Sequence, residues 1–227
     1  MLLLVTDTSG RYGSVALARA GEGANPSEIH LIEIAPLAGG MFSAQLVPQI
    51  AALLARHGLS KADIGAFVVV SGPGSFTGLR VGLAAIKAMA EILRKPIVAV
   101  SLLEAMALAA HNQGKVTSAL DAGRGEVYVG EYEVASASAQ VLREQLLSKD
   151  AFLSIARQST VATPDRGLAE MARAAGLSVF AVEPPSPEMI ACLGWRKLQA
   201  GESVSPEQLE ASYGRRSDAE ILLKPSC

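Results

Sequence analysis

The chain reads as an α/β protein on two observations. It opens with three apolar runs set apart by turn residues, then alternates helical and strand-like segments, the order expected when helices layer onto a sheet. After Gly114 a second set of apolar runs begins, which suggests two related lobes, 1–104 and 105–227.

Taken in order, Leu2–Asp7 reads as a buried strand, Gly13–Ala20 as its hairpin partner and Glu28–Ala35 as a third strand. Gly10-Arg11-Tyr12-Gly13 and the Gly-rich stretch 21–26 punctuate them. A helix is expected over Ser43–His57, with Ser43 as its N-cap and Gly58 just past its end. Strand 66–70, helix 77–93, strand 97–100 and helix 102–112 follow. In the second half, strands 116–120 and 126–134 flank the turn Ala122-Gly123-Arg124-Gly125. Strand 141–147, a short helix at 150–156, strand 159–162, helix 166–175, strand 178–182 and helix 187–199 complete the reading. Glu183-Pro184-Pro185-Ser186-Pro187 is a stiff connector.

Composition bounds the function. The chain has 227 residues, half of them hydrophobic but only 4% aromatic, so the core is built from Ala, Val, Leu and Ile. No uncharged apolar stretch reaches the ~18 residues of a membrane span, and no membrane partner is expected. The first residues run into Asp7 without a basic leader, so no signal peptide is expected. Two cysteines, Cys192 and Cys227, are too few for a disulfide framework. A cytoplasmic protein is expected. A net charge of −2 without a basic run argues against a chain that grips nucleic acid by itself.

The stretch Ser71–Gly82 is the most informative. Gly72, Gly74, Gly78 and Pro73, within nine residues, join a strand to a long apolar helix, a tight turn where small residues permit close backbone approach. Free N–H groups at such a helix start suit a phosphate, but no Gly-Lys-Ser/Thr follows as a phosphate-binding P-loop requires. A plain structural turn and a phosphate cradle both fit. Asp7 and Asp121 end the first strands of the two halves. They could hold Mg²⁺ through water or cap β-turns. His30, His57 and His111 are isolated, without the paired spacing that clamps a metal. Neither Ser75 nor Cys192 is marked as a nucleophile with a base beside it, so no catalytic residue and no metal site are expected.

Two helices are apolar nearly all round. In 77–93 the long polar residues Arg80, Lys87 and Glu91 fall on one narrow stripe, and in 43–57 Gln45, Gln49 and Arg56 do so. One sheet face needs an apolar arc of only about 100° or somewhat more. The surplus could bury against the neighbouring helix or form a protein–protein surface.

Gly72-Pro73-Gly74-Ser75-Phe76-Thr77-Gly78-Leu79-Arg80 resembles the signature of the bacterial TsaB (YeaZ) family. Asp7-Thr8-Ser9, Ser43-Ala44-Gln45-Leu46-Val47-Pro48, Val100-Ser101-Leu102-Leu103-Glu104-Ala105 and Leu120–Tyr128 match further family motifs in order. Three positions depart from the family pattern: Phe42 replaces a His, Gly123 replaces an Arg, and Ala211 stands where a closing Pro-x-Tyr-x-Arg begins.

The resemblance implies a two-lobed actin-like, ribonuclease-H-like fold of the sugar kinase and heat-shock ATPase superfamily. It also implies a non-catalytic subunit that binds TsaD, and with TsaE serves threonylcarbamoyl transfer to adenosine 37 of tRNA. The partner surface would comprise Leu46, Val47, Ile50, Leu53 and Leu54 on one helix and Leu79, Leu83, Ile86 and Met89 on the other, with homodimerisation when the chain is alone. A vestigial nucleotide cleft would fall at Asp7, Thr8, Ser9, Gly72, Gly74, Ser75 and Asp121. No cofactor is required, ATP or ADP binding is at most weak and within the assembled complex, and tRNA is contacted mainly through partners. The alternative is a small-molecule kinase or ATPase using Asp7, Asp121 and the 72–78 loop.

Overall fold

The computed structural model describes residues 1–21, 28–110, 112–136 and 138–212. His111, Cys227 and the Tyr213-Gly214-Arg215 ending lie outside the described residues.

Met1–Ala105 together with Pro185–Ser212 form one compact unit, and Met106–Pro184 form another. The expected division into 1–104 and 105–227 treats each lobe as one stretch of chain; the structure returns Pro185–Ser212 to the first unit.

The first unit is built on a five-stranded sheet ordered β3-β2-β1-β4-β5. Its strands are β1 (Leu2–Asp7), β2 (Gly13–Arg19), β3 (His30–Leu37), β4 (Ile64–Gly72) and β5 (Ile97–Ser101). β1, β2 and β3 form an antiparallel meander, and β4 and β5 run parallel to β1. Helices α1 (Phe42–Arg56) and α2 (Phe76–Leu93) pack against each other and on strands of this sheet. Leu2, Leu4, Val15, Leu17, Phe67 and Val69 share a core with both helices. Leu3, Val5 and Val68 alternate with them and are equally buried. Helix α6 (Pro187–Gln199) packs on β1, β2, β4 and β5, and a methyl group at its Gly194 would run into Val68. Burial on both faces explains the unbroken apolar runs of β1 and β4. Helix α3 (Leu102–Ala109) leads out of β5.

The third strand is displaced from its expected span, running from His30 to Leu37. Gly13 pairs with Leu37 and Ser14 with Pro36; β3 is the edge of the sheet, the one place where a proline without an N–H costs no ladder bond.

The second unit repeats this plan. Strands β6 (Gly114–Gly123), β7 (Glu126–Ala135), β8 (Ser138–Ser148), β9 (Thr160–Thr163) and β10 (Val179–Ala181) form a sheet ordered β10-β9-β6-β7-β8. β6, β7 and β8 are antiparallel, and β9 and β10 are parallel to β6. Read from its meander edge, β8-β7-β6-β9-β10 has the order of β3-β2-β1-β4-β5. Helices α4 (Lys149–Ile155) and α5 (Arg166–Ala174) contribute Phe152, Leu168 and Ala172 to a core with Ala119, Val127, Val129 and Val161. The duplication puts Asp7 near the end of β1 and Asp121 near the end of β6, at matching stations of the two sheets.

Candidate functional site

The glycine-rich turn between β4 and α2 is closed around the end of β1. Ser75 donates its backbone N–H to the carbonyl of Ser9 at 2.6 Å. Its hydroxyl caps the helix by accepting from the N–H of Gly78 at 3.2 Å. Gly78 and Gly82 face β1: a Cβ on Gly78 would collide with the Thr8 carbonyl, and one on Gly82 with Thr8 Oγ1. Gly74 lies equally close to Ser9, and Gly72, joined to Pro73 by a cis peptide bond, lies against Ser212. Gly78 and Gly82 therefore admit the chain's own Thr8 rather than standing open as a cradle. Thr8, Ser9 and Ser71 are buried in this contact zone.

Asp7 accepts from the Ser9 N–H at 2.8 Å and from the Ser9 hydroxyl at 2.5 Å. Burial pushes its carboxyl above the ordinary aspartate range, against the opposing pull of the two Ser9 hydrogen bonds. This is a turn-capping arrangement. Asp121 does the same in the second unit, accepting from the Gly123 N–H at 3.0 Å, while its own N–H donates to Asp165 Oδ2 at 2.7 Å. The structure thus brings Asp7, Thr8, Ser9, Gly74 and Ser75 together, with Gly72 at the adjoining Ser212 contact, while Asp121 belongs to the other unit.

Histidine and cysteine placement is unremarkable for chemistry. His57 contacts Glu33 at 2.7 Å beside Arg56, and His30 is exposed. Cys192 is half-buried, and burial pushes its thiol upward, away from the thiolate a nucleophile needs. Among the described residues no three His, Cys, Asp or Glu side chains gather as metal ligands would.

The two apolar helices divide their side chains by size. Leu46, Ile50, Leu53 and Leu54 of α1, and Leu79, Leu83 and Ile86 of α2, are buried in the unit's own interior. They cannot also face a partner, which corrects the surface expected from sequence. Met89 is half-buried against the same core, and Val47 alone of the expected set is well exposed, at 53%. The reason is volume. Branched side chains gain roughly 1.5–3 kcal/mol each on full burial, so they take the sheet side and leave alanines outside. On α1 the outer face reads Ala44, Val47, Pro48, Ala51, Ala52 and Ala55, all exposed. On α2 it carries Ala84, Ala88 and Ile92, the last 76% exposed, with Arg80 and Glu91 among them. The spacing of small residues at 44, 48, 51, 55 and at 84, 88 was the sequence signal for this face.

At the loop end of the same unit, Tyr12 and Phe76 are 70% and 47% exposed. The Arg11 guanidinium lies 5.7 Å from the Tyr12 ring centroid, and that of Arg80 lies 3.8 Å from the Phe76 centroid. Sequence reading assigned no role to these four.

A model of the family described as TsaD, tRNA N6-adenosine threonylcarbamoyltransferase, matches residues 36–211. The solved structure of YeaZ from Pseudomonas aeruginosa superposes with a TM-score of 0.71 at 25% identity, over 93% of this chain and 100% of that one. The chain belongs to the TsaB (YeaZ) family. Its curated TsaB relatives are described as tRNA threonylcarbamoyladenosine biosynthesis proteins. The Haemophilus influenzae protein is 36% identical over 65% of this chain, and the Bacillus subtilis protein 34% over 59%. Those matches span just 57% and 56% of the two relatives. The Escherichia coli TsaB aligns over 96% of both chains at 27% identity. The TsaB membership carries the two-lobed actin-like fold with it, in keeping with the two matching sheets.

Proposed function

We propose that this chain is the non-catalytic, partner-binding subunit of the assembly that makes threonylcarbamoyladenosine at adenosine 37 of tRNA. In this reading it docks on TsaD through the outer faces of α1 and α2, TsaE joins the pair, and the same face makes a homodimer when TsaD is absent. One observation carries the reading: the exposed side of α1 is an uncharged run of Ala44, Val47, Pro48, Ala51, Ala52 and Ala55 beside α2. Small side chains let a partner helix approach closely, and a solvent-facing apolar surface of this kind marks interaction sites. The kinase or ATPase alternative is weakened because Thr8 and Ser9 fill the space beside the glycines that a phosphate would need. Any adenine nucleotide then belongs to the assembled complex, and no cofactor of this chain's own is required.

The test is threonylcarbamoyl transfer to tRNA by the matching TsaD, TsaE and synthase, with and without this chain. Activity that needs the chain, and is lost with Ala51→Glu or Ala84→Glu together with TsaD co-elution, supports the reading. Equal activity with and without the chain overturns it.

A further inference from the structure

We propose that the Ala44 carbonyl on the outer face of α1 is a hydrogen-bond acceptor kept open for the docking partner, and that it favours TsaD over a second copy of this chain. The inference rests on the reading that α1 and α2 dock on TsaD. It names the chemistry the partner must bring, an N–H or O–H donor set within an otherwise apolar contact.

Three observations carry it. First, Pro48 lies inside α1. An α-helix pairs each carbonyl with the N–H four residues on, and proline has no N–H, so the ladder bond from position 48 to the Ala44 carbonyl cannot form. Among the described residues no donor from outside the helix reaches that carbonyl. Second, this part of the helix is turned to solvent. Ala44, Pro48, Ala51 and Ala55 are exposed, whereas Leu46, Ile50, Leu53 and Leu54 fill the core side. Water satisfies the carbonyl while the face is open. A partner that covers the face displaces that water, and a buried acceptor left without a donor is penalised by its full desolvation. A partner with a donor at this place is therefore selected over one without. Third, the stripe cannot answer its own acceptor. Its side chains are three alanine methyls and a proline ring, so α1 packed stripe on stripe against a second copy offers no side-chain donor. A different surface can, such as a helix that brings Ser, Asn, Lys or Arg to the contact.

The affinity of the full chain for the matching TsaD is measured by titration calorimetry, and its self-association by sedimentation equilibrium. Pro48→Ala supplies the missing N–H and closes the Ala44 carbonyl within α1. The variant is expected to have a higher urea midpoint, because a proline leaves the helix interior. It is also expected to bind TsaD about two- to tenfold more weakly, the worth of one neutral hydrogen bond, with self-association no weaker. A second variant carries the α-hydroxy counterpart of alanine at position 48, with alanine's methyl but an ester oxygen in place of the N–H. It is expected to recover most of the lost TsaD affinity. Wild-type TsaD affinity in Pro48→Ala overturns the proposal. So does an ester variant that binds no better than Pro48→Ala, because the proline ring is then the contact. An equal loss of self-association in Pro48→Ala overturns the preference for TsaD. Unmodified chain that does not bind TsaD strikes the scaffold reading together with this one, whereas TsaD binding that is indifferent to position 48 strikes only the carbonyl.

Discussion

Ile86 and Ala84 sit two residues apart on α2 and should respond to mutation in opposite ways. Ile86 is fully buried in the core shared by α1, α2 and the sheet, whereas Ala84 is exposed. Ile86→Ala removes three carbons, each contributing about 0.8 kcal/mol, for roughly 2.4 kcal/mol of lost transfer energy. A residual cavity brings the cost into the range of about 2–5 kcal/mol. At an m-value of about 2 kcal/mol/M the urea midpoint should fall by at least about 1 M. Ala84→Glu, placed on the solvent side, should change stability by no more than about 0.5 kcal/mol while abolishing TsaD binding. The chain's single tryptophan, Trp195, is buried in α6, so its fluorescence reports unfolding of the first unit, and gel filtration reports the complex. The opposite pattern would refute the division of the helix into a core face and a partner face: an unshifted midpoint for Ile86→Ala, or unfolding by Ala84→Glu.

Other expectations follow from the β1 contact zone. Gly82→Ala should destabilise by roughly 1–3 kcal/mol through overpacking, and adding Thr8→Ala should restore part of that because Thr8 Oγ1 is the atom struck; a double mutant no more stable than Gly82→Ala would count against it. Ser75→Ala removes the helix cap and should cost about 0.5–2 kcal/mol, read as a lower urea midpoint. Asp7 is raised by burial, so its contribution favours folding below the unfolded aspartate pKa and is lost as pH rises through the folded value. Asp7→Asn, whose Oδ1 still accepts from Ser9, should be at least as stable at neutral pH and should remove that part of the pH dependence; an unchanged pH slope would contradict the burial argument.

Element types were legible because local patterns agreed with the final packing. The unbroken run Leu2-Leu3-Leu4-Val5 needs two covered faces, and α1, α2 and α6 take part in that cover. Helix starts were less legible: α1 begins at Phe42 with no side-chain cap, one residue ahead of the expected cap Ser43, whereas α2 is capped by Ser75, which accepts from the Gly78 N–H. The orientation of the apolar helices was not legible. A helix apolar nearly all round has several ways to face a sheet, and the competition between large and small side chains decides it. Ranking positions by volume would have put Leu53 and Ile86 inward and Ala51 and Ala84 outward. The glycines of the 72–82 stretch were legible as close-approach residues, but their neighbour was not: whether they meet phosphate or protein depends on Thr8 and Ser9, which are distant in sequence. Nor could periodicity show that α6 completes the first sheet, since nothing local to Pro187–Gln199 names the surface it covers.

The return of Pro185–Ser212 to the first unit has a consequence for synthesis. Chain growth is directional, and domains emerging early usually fold before later ones appear. Here the first five strands and both apolar helices emerge long before α6, and before Val204, whose N–H donates to the carbonyl of Ile97 on β5 at 2.9 Å. Until then, the layer formed by Leu3, Val5 and Val68 lacks its α6 cover. The second unit, whose described residues form the single stretch Met106–Pro184, can mature first despite being encoded second. A nascent chain halted after residue 184 would thus hold a finished latecomer and an unfinished forerunner, with sticky apolar surface left for chaperones to shield.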